Sequence, residues 1–412
     1  MKKIFLSICA VLVASNAYAG GFQLSEYSLT QLGRAFAGYG IVGDDYSMIA
    51  YNPAGMSLRD TGVQTGVTMV ALNSKAKGYV NGTKGKVGKL EDHPLVPHFF
   101  GQYKVNEKLR IGAGAYTPYA FATNYSKNWY GRSHAIKSEI TAIDYELAAS
   151  YDLTKNFSLG AGIIAETVEA ELTNAVDSVP STWKSKSKVE GDSYTTVYSL
   201  GMIYKLGENT RFGLSYHSQA VHQIRGSHHV RIGTPAGTML MDSHAGTTLT
   251  LPEYYTLSAY HRINDFGLSA SVKWTRWSKF KTLSIWSSSN ATGTKQSVGD
   301  VDEDWRDTWM LSLGTDYYYN DKWTFRAGIS YDQAGVTSSE HRTARVPDSD
   351  RWIVGVGASY KINDNMQVDA GYSHVFMKTG EIHNQLPNGG STLHGKYNSS
   401  INMIGLSFQY NF

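Results

Sequence analysis

From about residue 61 to its end the chain repeats one unit, a long run alternating apolar with small or polar residues, followed by a connection. The last run, MIGLSFQYNF, shows it most plainly. Ile404, Leu406, Phe408, Tyr410 and Phe412 alternate with Gly405, Ser407, Gln409 and Asn411. FSLGAGIIAE sets Phe157, Leu159, Ala161 and Ile163 against Gly160, Gly162 and Glu166. WTFRAGISY sets Trp323, Phe325, Ala327 and Ile329 against Thr324, Arg326 and Gly328. A period of two sustained over roughly ten residues marks a strand with lipid on one face and a polar lumen on the other. A soluble β-sandwich also alternates, but its strands are typically shorter.

The connections fall into two classes. KVNEK, LTKNF, KLGEN, RINDF, YNDKW and KINDN are short and carry the Asn, Asp or Gly that tight turns need. The others are long and polar, near 74–94, 124–138, 173–192, 226–247, 287–303, 334–349 and 379–398. The two classes alternate strictly, which predicts about fourteen antiparallel strands with short turns at one end and long loops at the other. Aromatic residues gather near strand ends, as in Tyr317, Tyr318 and Tyr319, or Trp274 and Trp277, as an interfacial girdle would. The expected fold is therefore all-β, an antiparallel transmembrane barrel over residues 61–412.

One strand departs from the pattern. In LRIGAGAYTPYAFATNY, residues 109–125, Leu109, Ile111, Ala113, Ala115, Tyr119 and Phe121 share one parity. Arg110, Gly112, Gly114, Tyr116, Pro118 and Ala120 share the other. Pro118 removes a ladder hydrogen bond, so a bulge or an interruption of the wall is expected there.

Residues 20–60 do not alternate. They are glycine-rich, with two short helix-like stretches, one ending before Pro53 and capped by Asp44 or Asp45. So apolar a segment is costly in water, and a barrel of this size has room for a plug, so it is expected in the lumen. Residues 1–19 read as a secretory signal peptide: Lys2 and Lys3, an apolar core, and Ala17-Tyr18-Ala19 as a cleavage site. Its removal leaves 36 basic residues (38 less Lys2 and Lys3) against 35 acidic ones. Such a neutral chain has no electrostatic footprint for nucleic acid. Removal also takes Cys9, the chain's one cysteine, which excludes disulfide and thiolate chemistry.

The lumen parity carries Arg110, Asp144, Glu146, Glu166, Lys273 and Arg326. These either pair with one another or present a cation to an anionic ligand. His228, His229 and His244 share one long loop, but adjacent histidines on extended backbone point opposite ways, so no metal is expected. No nucleophile motif such as G-x-S-x-G is found, so neither enzyme activity nor a cofactor is expected.

The segment GFQLSEYSLTQLGRAFAG, with the later DD and NPA, is similar to the N-terminal hatch of the long-chain fatty-acid transporters of the Gram-negative outer membrane, the FadL type. LTLPEYYTLSAYHRI, WSKF, DTWMLSLGTDYYYNDKWTFRAGISYD and RTARVPDSDRW resemble that family's later strands in order. The resemblance extends over the whole mature chain and includes relatives that carry aromatic hydrocarbons. It implies a fourteen-stranded barrel plugged by its N-terminus, and passive uptake of long-chain fatty acids. It implies lateral release into outer-membrane lipid through a third strand kinked inward near Pro118 and Ala120, the latter often glycine in the family. Asn52, Pro53 and Ala54 match the NPA motif that lies against the kink, Phe22 is expected near the ligand, and Lys273 or Arg326 would hold a carboxylate. Asn174 stands where a basic residue might be expected. Loops 173–192 and 226–247 would collect the ligand, and the strand ending in Phe412 would meet the barrel-assembly machinery. The competing functions are aromatic-hydrocarbon uptake, a general porin and a barrel hydrolase.

Overall fold

The computed structural model describes residues 21–412 apart from 86, 181–182 and 290–292. The expected signal peptide, residues 1–19, lies outside the described residues. The remainder forms a closed antiparallel barrel of fourteen wall strands, some built in two pieces. They are β1 (Gly62–Val80), β2 (Leu95–Lys104, extended by Gly88–Asp92), β3 (Leu109–Asn124), β4 (Lys137–Asp152) and β5 (Phe157–Asn174). Next come β6 (Ser185–Leu206), β7 (Thr210–His217 and Ala220–Thr234), β8 (Gly237–Leu251 and Tyr254–Ile263) and β9 (Phe266–Thr275 and Thr282–Ser289). The last are β10 (Lys295–Asp302 and Thr308–Tyr318), β11 (Trp323–Asp332), β12 (Arg351–Lys361), β13 (Met366–Met377 and Gly380–Gln385) and β14 (Thr392–Asn411). Each pairs with its chain neighbours, and β1 closes the barrel against β14 from Gly62↔Asn411 to Val80↔Leu393. Among the described residues no helix is long and apolar enough to cross a membrane.

The period of two appears directly in exposure. Ile404, Leu406 and Ile163 face outward, while Gly162, Glu166, Ser407 and Gln409 are buried. The apolar outer face is the lipid face, since a closed barrel pairs its backbone groups internally and leaves side chains to meet the lipid. Stacked aromatics such as Tyr255–Trp274–Trp309 and Phe266–Tyr317 lie on it.

Most of the long connections are not loops. The stretch 226–247 continues β7 and β8 as a ladder reaching Thr234↔Gly237, and 379–398 likewise belongs mainly to β13 and β14. Both stretches also carry apolar residues: Ile232, Ile382 and Leu393 are buried, while Met239, Leu240 and Met241 are exposed. Two connections, 125–136 and 333–350, do lack strand, and both carry buried residues such as Trp129, Ala135, Val346 and Asp348.

Residues 21–58 pack against the inward face of the wall and are almost wholly buried. Two short helices, α1 (Leu29–Gly33) and α2 (Met48–Tyr51), and a 3₁₀ turn over Pro53–Leu58 shape this segment. Ser28 caps α1 by accepting from Gln31 N at 3.2 Å, while α2, the helix that ends before Pro53, has Ser47 at its N-cap with no side-chain capping bond. Asp45 instead accepts from Ser47 N just ahead of α2. Helix α1 stops because Ala35 and Phe36 take left-handed φ of 47° and 67°. The hydroxyl of Ser330, on β11, holds the Ala35 carbonyl there.

Candidate functional site

The N-terminal segment meets the wall where the third strand leaves its neighbour. β3 pairs with β2 only from Arg110↔Lys104 to Ala115↔Phe99. Beyond that point β2 stays with β1 through Leu95↔Met69 and on to Gly88↔Ala76. On its other side β3 keeps β4 but shifts register between Tyr116 and Tyr119, a bulge of one extra residue around Thr117 and Pro118. The vacated edge is filled from inside the barrel. Leu24 N donates to Pro118 O at 2.7 Å, and Ala120 N donates to Phe22 O at 3.0 Å. Gln23 and Tyr119 face one another between these bonds. Proline has no N–H to offer, and its carbonyl is the group that the N-terminal segment takes.

One extra residue also reverses the parity of the strand beyond it. Tyr119 and Phe121, grouped by alternation with Leu109 and Ile111, turn inward instead. Tyr119 donates its hydroxyl to Pro252 O at 2.9 Å, and its ring lies 6.2 Å from that of Phe22. Phe121, Trp277, Phe280 and Trp305 close around Phe22 at centroid distances of 5.3, 4.9, 5.7 and 5.9 Å. Trp277 is therefore not part of the outer girdle. β9 breaks after Thr275, and a 3₁₀ turn over Trp277–Lys279 carries the indole inward, leaving Trp274 on the lipid face. Gly21, at φ +68°, permits the approach, because a Cβ there would lie 2.7 Å from Trp277 Cζ2. In the sequence, Trp277 and Phe280 fall on opposite parities, a break in alternation that could have revealed this cluster; nothing comparable marks Tyr119 or Phe121.

The structure does not bring Asn52, Pro53 and Ala54 to the kink. Asn52 Nδ2 donates to Met202 O at 3.3 Å, its Oδ1 accepts from Ala54 N at 3.1 Å, and Ser150 Oγ donates to Ala54 O at 3.4 Å. Pro53 and Ala54 lie against Gly160, and Ala54 also against Gly201, on β5 and β6. The physical reason is local. Asn52 is extended at the end of α2, and glycines without side chains let the turn after it settle on the inner wall. Pro118 lies in the bulge of β3, and Ala120 bonds to Phe22 O just beyond it.

Arg326 belongs to a buried network that ties the N-terminal segment to the wall. Arg34 Nη1 meets Asp44 at 2.7 Å and Asp316 at 2.8 Å, while Arg326 meets the same two carboxylates at 2.9 and 3.1 Å. Burial raises the Asp44 carboxyl, but the two guanidiniums outweigh that and hold it well below the usual carboxylate range. Lys273 Nζ donates to Ser25 Oγ at 3.4 Å and lies 5.6 Å from the Tyr39 ring. Beside it Glu26, whose carboxyl burial pushes up to about 7, accepts from Ser25 N. The remaining lumen charges also pair. Arg110 meets Asp152, His222 meets Glu166, and Glu146 accepts from Tyr116 and Ser199. Asp144 lies 3.7 Å from His217. His228 and His229 bond separately to Ser187 and Asp242, and no metal-binding cluster of three occurs among the described residues. On the lipid face of the paired part of β3, Ile111, Ala113, Leu147 and Ile163 line a depression of about 840 Å³.

A barrel filled from its own N-terminus, with an apolar outer band and an aromatic cluster at one interrupted seam, is an outer-membrane transport protein. Residues 10–412 match the family described as "Outer membrane protein transport protein (OMPP1/FadL/TodX)", and the chain belongs to it. It is 31% identical to a 47 kDa outer membrane protein of Pasteurella multocida, over 99% of this chain and 97% of that protein. It is 27% identical to a long-chain fatty acid transport protein of Escherichia coli, over 90% of each. A FadL homologue of Pseudomonas aeruginosa superposes with a TM-score of 0.86 at 25% identity, covering 95% of this chain and all of that one. The protein accordingly resides in the Gram-negative outer membrane.

Proposed function

We propose that the protein takes up long-chain fatty acids by passive diffusion and releases them sideways into the membrane. The observation that carries this reading is the Phe22 cluster, an apolar aromatic site held against the interrupted seam of β3 by residues 22–24. Residues 20–60 act as the hatch, and residues 1–19 direct export and are then removed. Displacement of residues 22–24 by an entering chain frees the edge of β3 at Pro118 and Ala120. The apolar depression beside Ile111 and Leu147 lies on the lipid side of the same strand. An apolar N-terminal filling has no use in a general porin. The E. coli relative's name favours fatty acids over hydrocarbons as cargo. Lys273 and Arg326 hold the hatch, Asn52–Pro53–Ala54 fixes its lower turn to β5 and β6, and Phe22 contacts the chain. The exposed Phe412 closing β14 presents that strand to the barrel-assembly machinery, and its deletion should lower the yield of assembled barrel.

The test is uptake of labelled oleate by cells that lack their own transporter and express this chain, paired with a planar-bilayer trace. The expected result is oleate uptake without steady ion conductance. Conductance of small ions without oleate uptake would identify a porin instead.

A further inference from the structure

The outward face of the wall carries its charges differently on its two sides. On β1 the outward column reads Val67, Met69 and Ala71, then Asn73, Lys75, Lys77 and Tyr79. Register sets Lys77 directly opposite Lys396 of β14, and Lys75 directly opposite Lys89 in the extension of β2. Lys84, just past the turn that follows β1, faces Tyr79. All five lysines are exposed. Lys396 pairs with Glu381 at 2.7 Å. Among the described residues no carboxylate lies within ion-pair distance of the other four.

On the other side of the barrel the outward lysines are neutralised where they stand. Lys137 of β4 meets Glu139 at 2.6 Å and Glu171 at 3.2 Å, and Lys188 of β6 meets Glu190 at 2.6 Å. Like charges directly opposite one another on adjacent strands are destabilising. Two such pairs side by side make a surface complementary to a multivalent anion. The height of the patch narrows the choice of anion. It stands at the end of the barrel away from the short turns, which is the outer side of the membrane. Lys75 lies about 13 Å along the strand beyond Ala71, and a tilt of about 40° brings this to about 10 Å above the apolar column. Lysine stems reach back along the wall, which sets the ammonium groups at the level of lipid headgroups. Tyr79, stacked on His394 with ring centroids 4.8 Å apart, adds the amphipathic ring common at that level.

We propose that this patch binds the phosphate groups of a lipid in the outer leaflet, whose acyl chains lie against the apolar column below it. The ligand class is an amphiphile with more than one phosphate, since the two opposed lysine pairs offer charge at neighbouring points. Lysine suits the task as a point charge on a flexible stem, which meets a phosphate without the fixed geometry of a guanidinium fork. The patch straddles β1 and β14, so the bound lipid clasps the first and last strands where they close the barrel.

The test uses the purified protein in detergent with divalent cations chelated, its folding checked by heat-modifiable electrophoretic mobility. The probe is lipid A carrying two phosphates, compared with its dephosphorylated form, and binding is read by microscale thermophoresis. Lys75→Gln, Lys77→Gln and Lys89→Gln together should weaken binding of the phosphorylated lipid about tenfold or more at low salt. Most of that difference should vanish at about 1 M NaCl, where screening is nearly complete. Lys155→Gln, Lys322→Gln and Lys361→Gln remove the same charge from the short turns at the opposite end, and should change affinity less than about twofold. The parent protein should bind the dephosphorylated lipid no better than the first variant binds the phosphorylated one. Unchanged affinity in the first variant, or an equal loss in the second, overturns the proposal. So does displacement of the lipid by inorganic phosphate beyond that caused by chloride at equal ionic strength, which would assign a site for free phosphate instead.

Discussion

Two seams of the barrel wall are built from the same kind of sequence and behave differently. At β1–β14 every one of the 19 residues of β1 has a partner, and the register runs unbroken. At β2–β3 only six pairs form, and above Ala115 the edge of β3 is completed by residues 22–24. The regular seam is stable because each backbone group meets a fixed partner. At the interrupted one, Pro118 O and Ala120 N are satisfied by a segment that is not part of the wall. Unpaired backbone groups facing lipid cost several kcal/mol each, so such a partner is needed at any interruption. The difference lies in who supplies the hydrogen bonds, and under the proposed lateral route that would let one seam open without unfolding the barrel.

The sharpest break of the comparison moves the proline. Gly405 lies in β14 between Thr68 of β1 and Gly371 of β13. Among the described residues the N-terminal segment meets Gly405 through the Leu29 side chain, not through backbone bonds such as residues 22–24 make at Pro118 and Ala120. Gly405→Pro should therefore prevent assembly, at a penalty of about 3 kcal/mol or more. The measurement is the heat-modifiable band of the folded barrel, and a normal band would mean that the seams do not differ in tolerance.

The second prediction locks the interrupted seam. Gln23 and Tyr119 form a narrow antiparallel pair flanked by two hydrogen bonds, a geometry with Cα atoms roughly 4.5 Å apart. That spacing falls inside the span of a disulfide. With both positions changed to cysteine in a chain otherwise free of cysteine after export, oxidation should abolish oleate uptake and a reductant should restore it. Full uptake by the oxidised protein would send the cargo out through the periplasmic end.

These two seams also show what a sequence can reveal. β14 was legible from alternation alone, since its side chains report the environment on each face. β3 was legible as irregular, because Pro118 has a mechanical consequence that does not depend on neighbours. The inward turn of Tyr119 and Phe121 was not, because a bulge of one residue reverses parity while leaving composition untouched. Asn52-Pro53-Ala54 was readable as the end of a helix, but its contacts depend on which glycines of the wall face it. The lysines of β1 read as solvated loop cations until the register sets Lys75 against Lys89 and Lys77 against Lys396.

A third prediction concerns the rim above the interrupted seam. Glu303 is ordinary near 4.5 when unfolded and is pushed up to about 8 by burial in the native protein. The native state therefore binds its proton more tightly, and the stability this gives is complete below about pH 4.5 and is lost as pH rises toward 8. Glu303→Gln keeps an acceptor for Trp305 Nε1 but cannot ionise. Relative to the parent protein, the variant should gain at least about 1 kcal/mol between pH 5 and pH 8.5, less than one pKa unit's worth. Thermal unfolding in detergent across that range checks it, and parallel curves would contradict it.

The smallest effect belongs to the residue that first marks the strand. Pro118→Val restores a backbone N–H at the bulge, yet the ladder with β2 has already ended at Ala115. The new donor faces an edge where Leu24 and Phe22 already bond to β3 through Pro118 O and Ala120 N. The gain is at most one hydrogen bond, about 1 kcal/mol, and the extra residue in the register remains. Oleate uptake should fall less than about threefold, the rate equivalent of a fraction of that energy. Deleting Thr117 together with Pro118→Val is the complementary test, since it removes the extra residue and allows β3 to realign with β4. If that double change suppresses uptake while Pro118→Val alone does not, the interruption is a property of register. If the single substitution already suppresses it, the proline itself holds the seam apart.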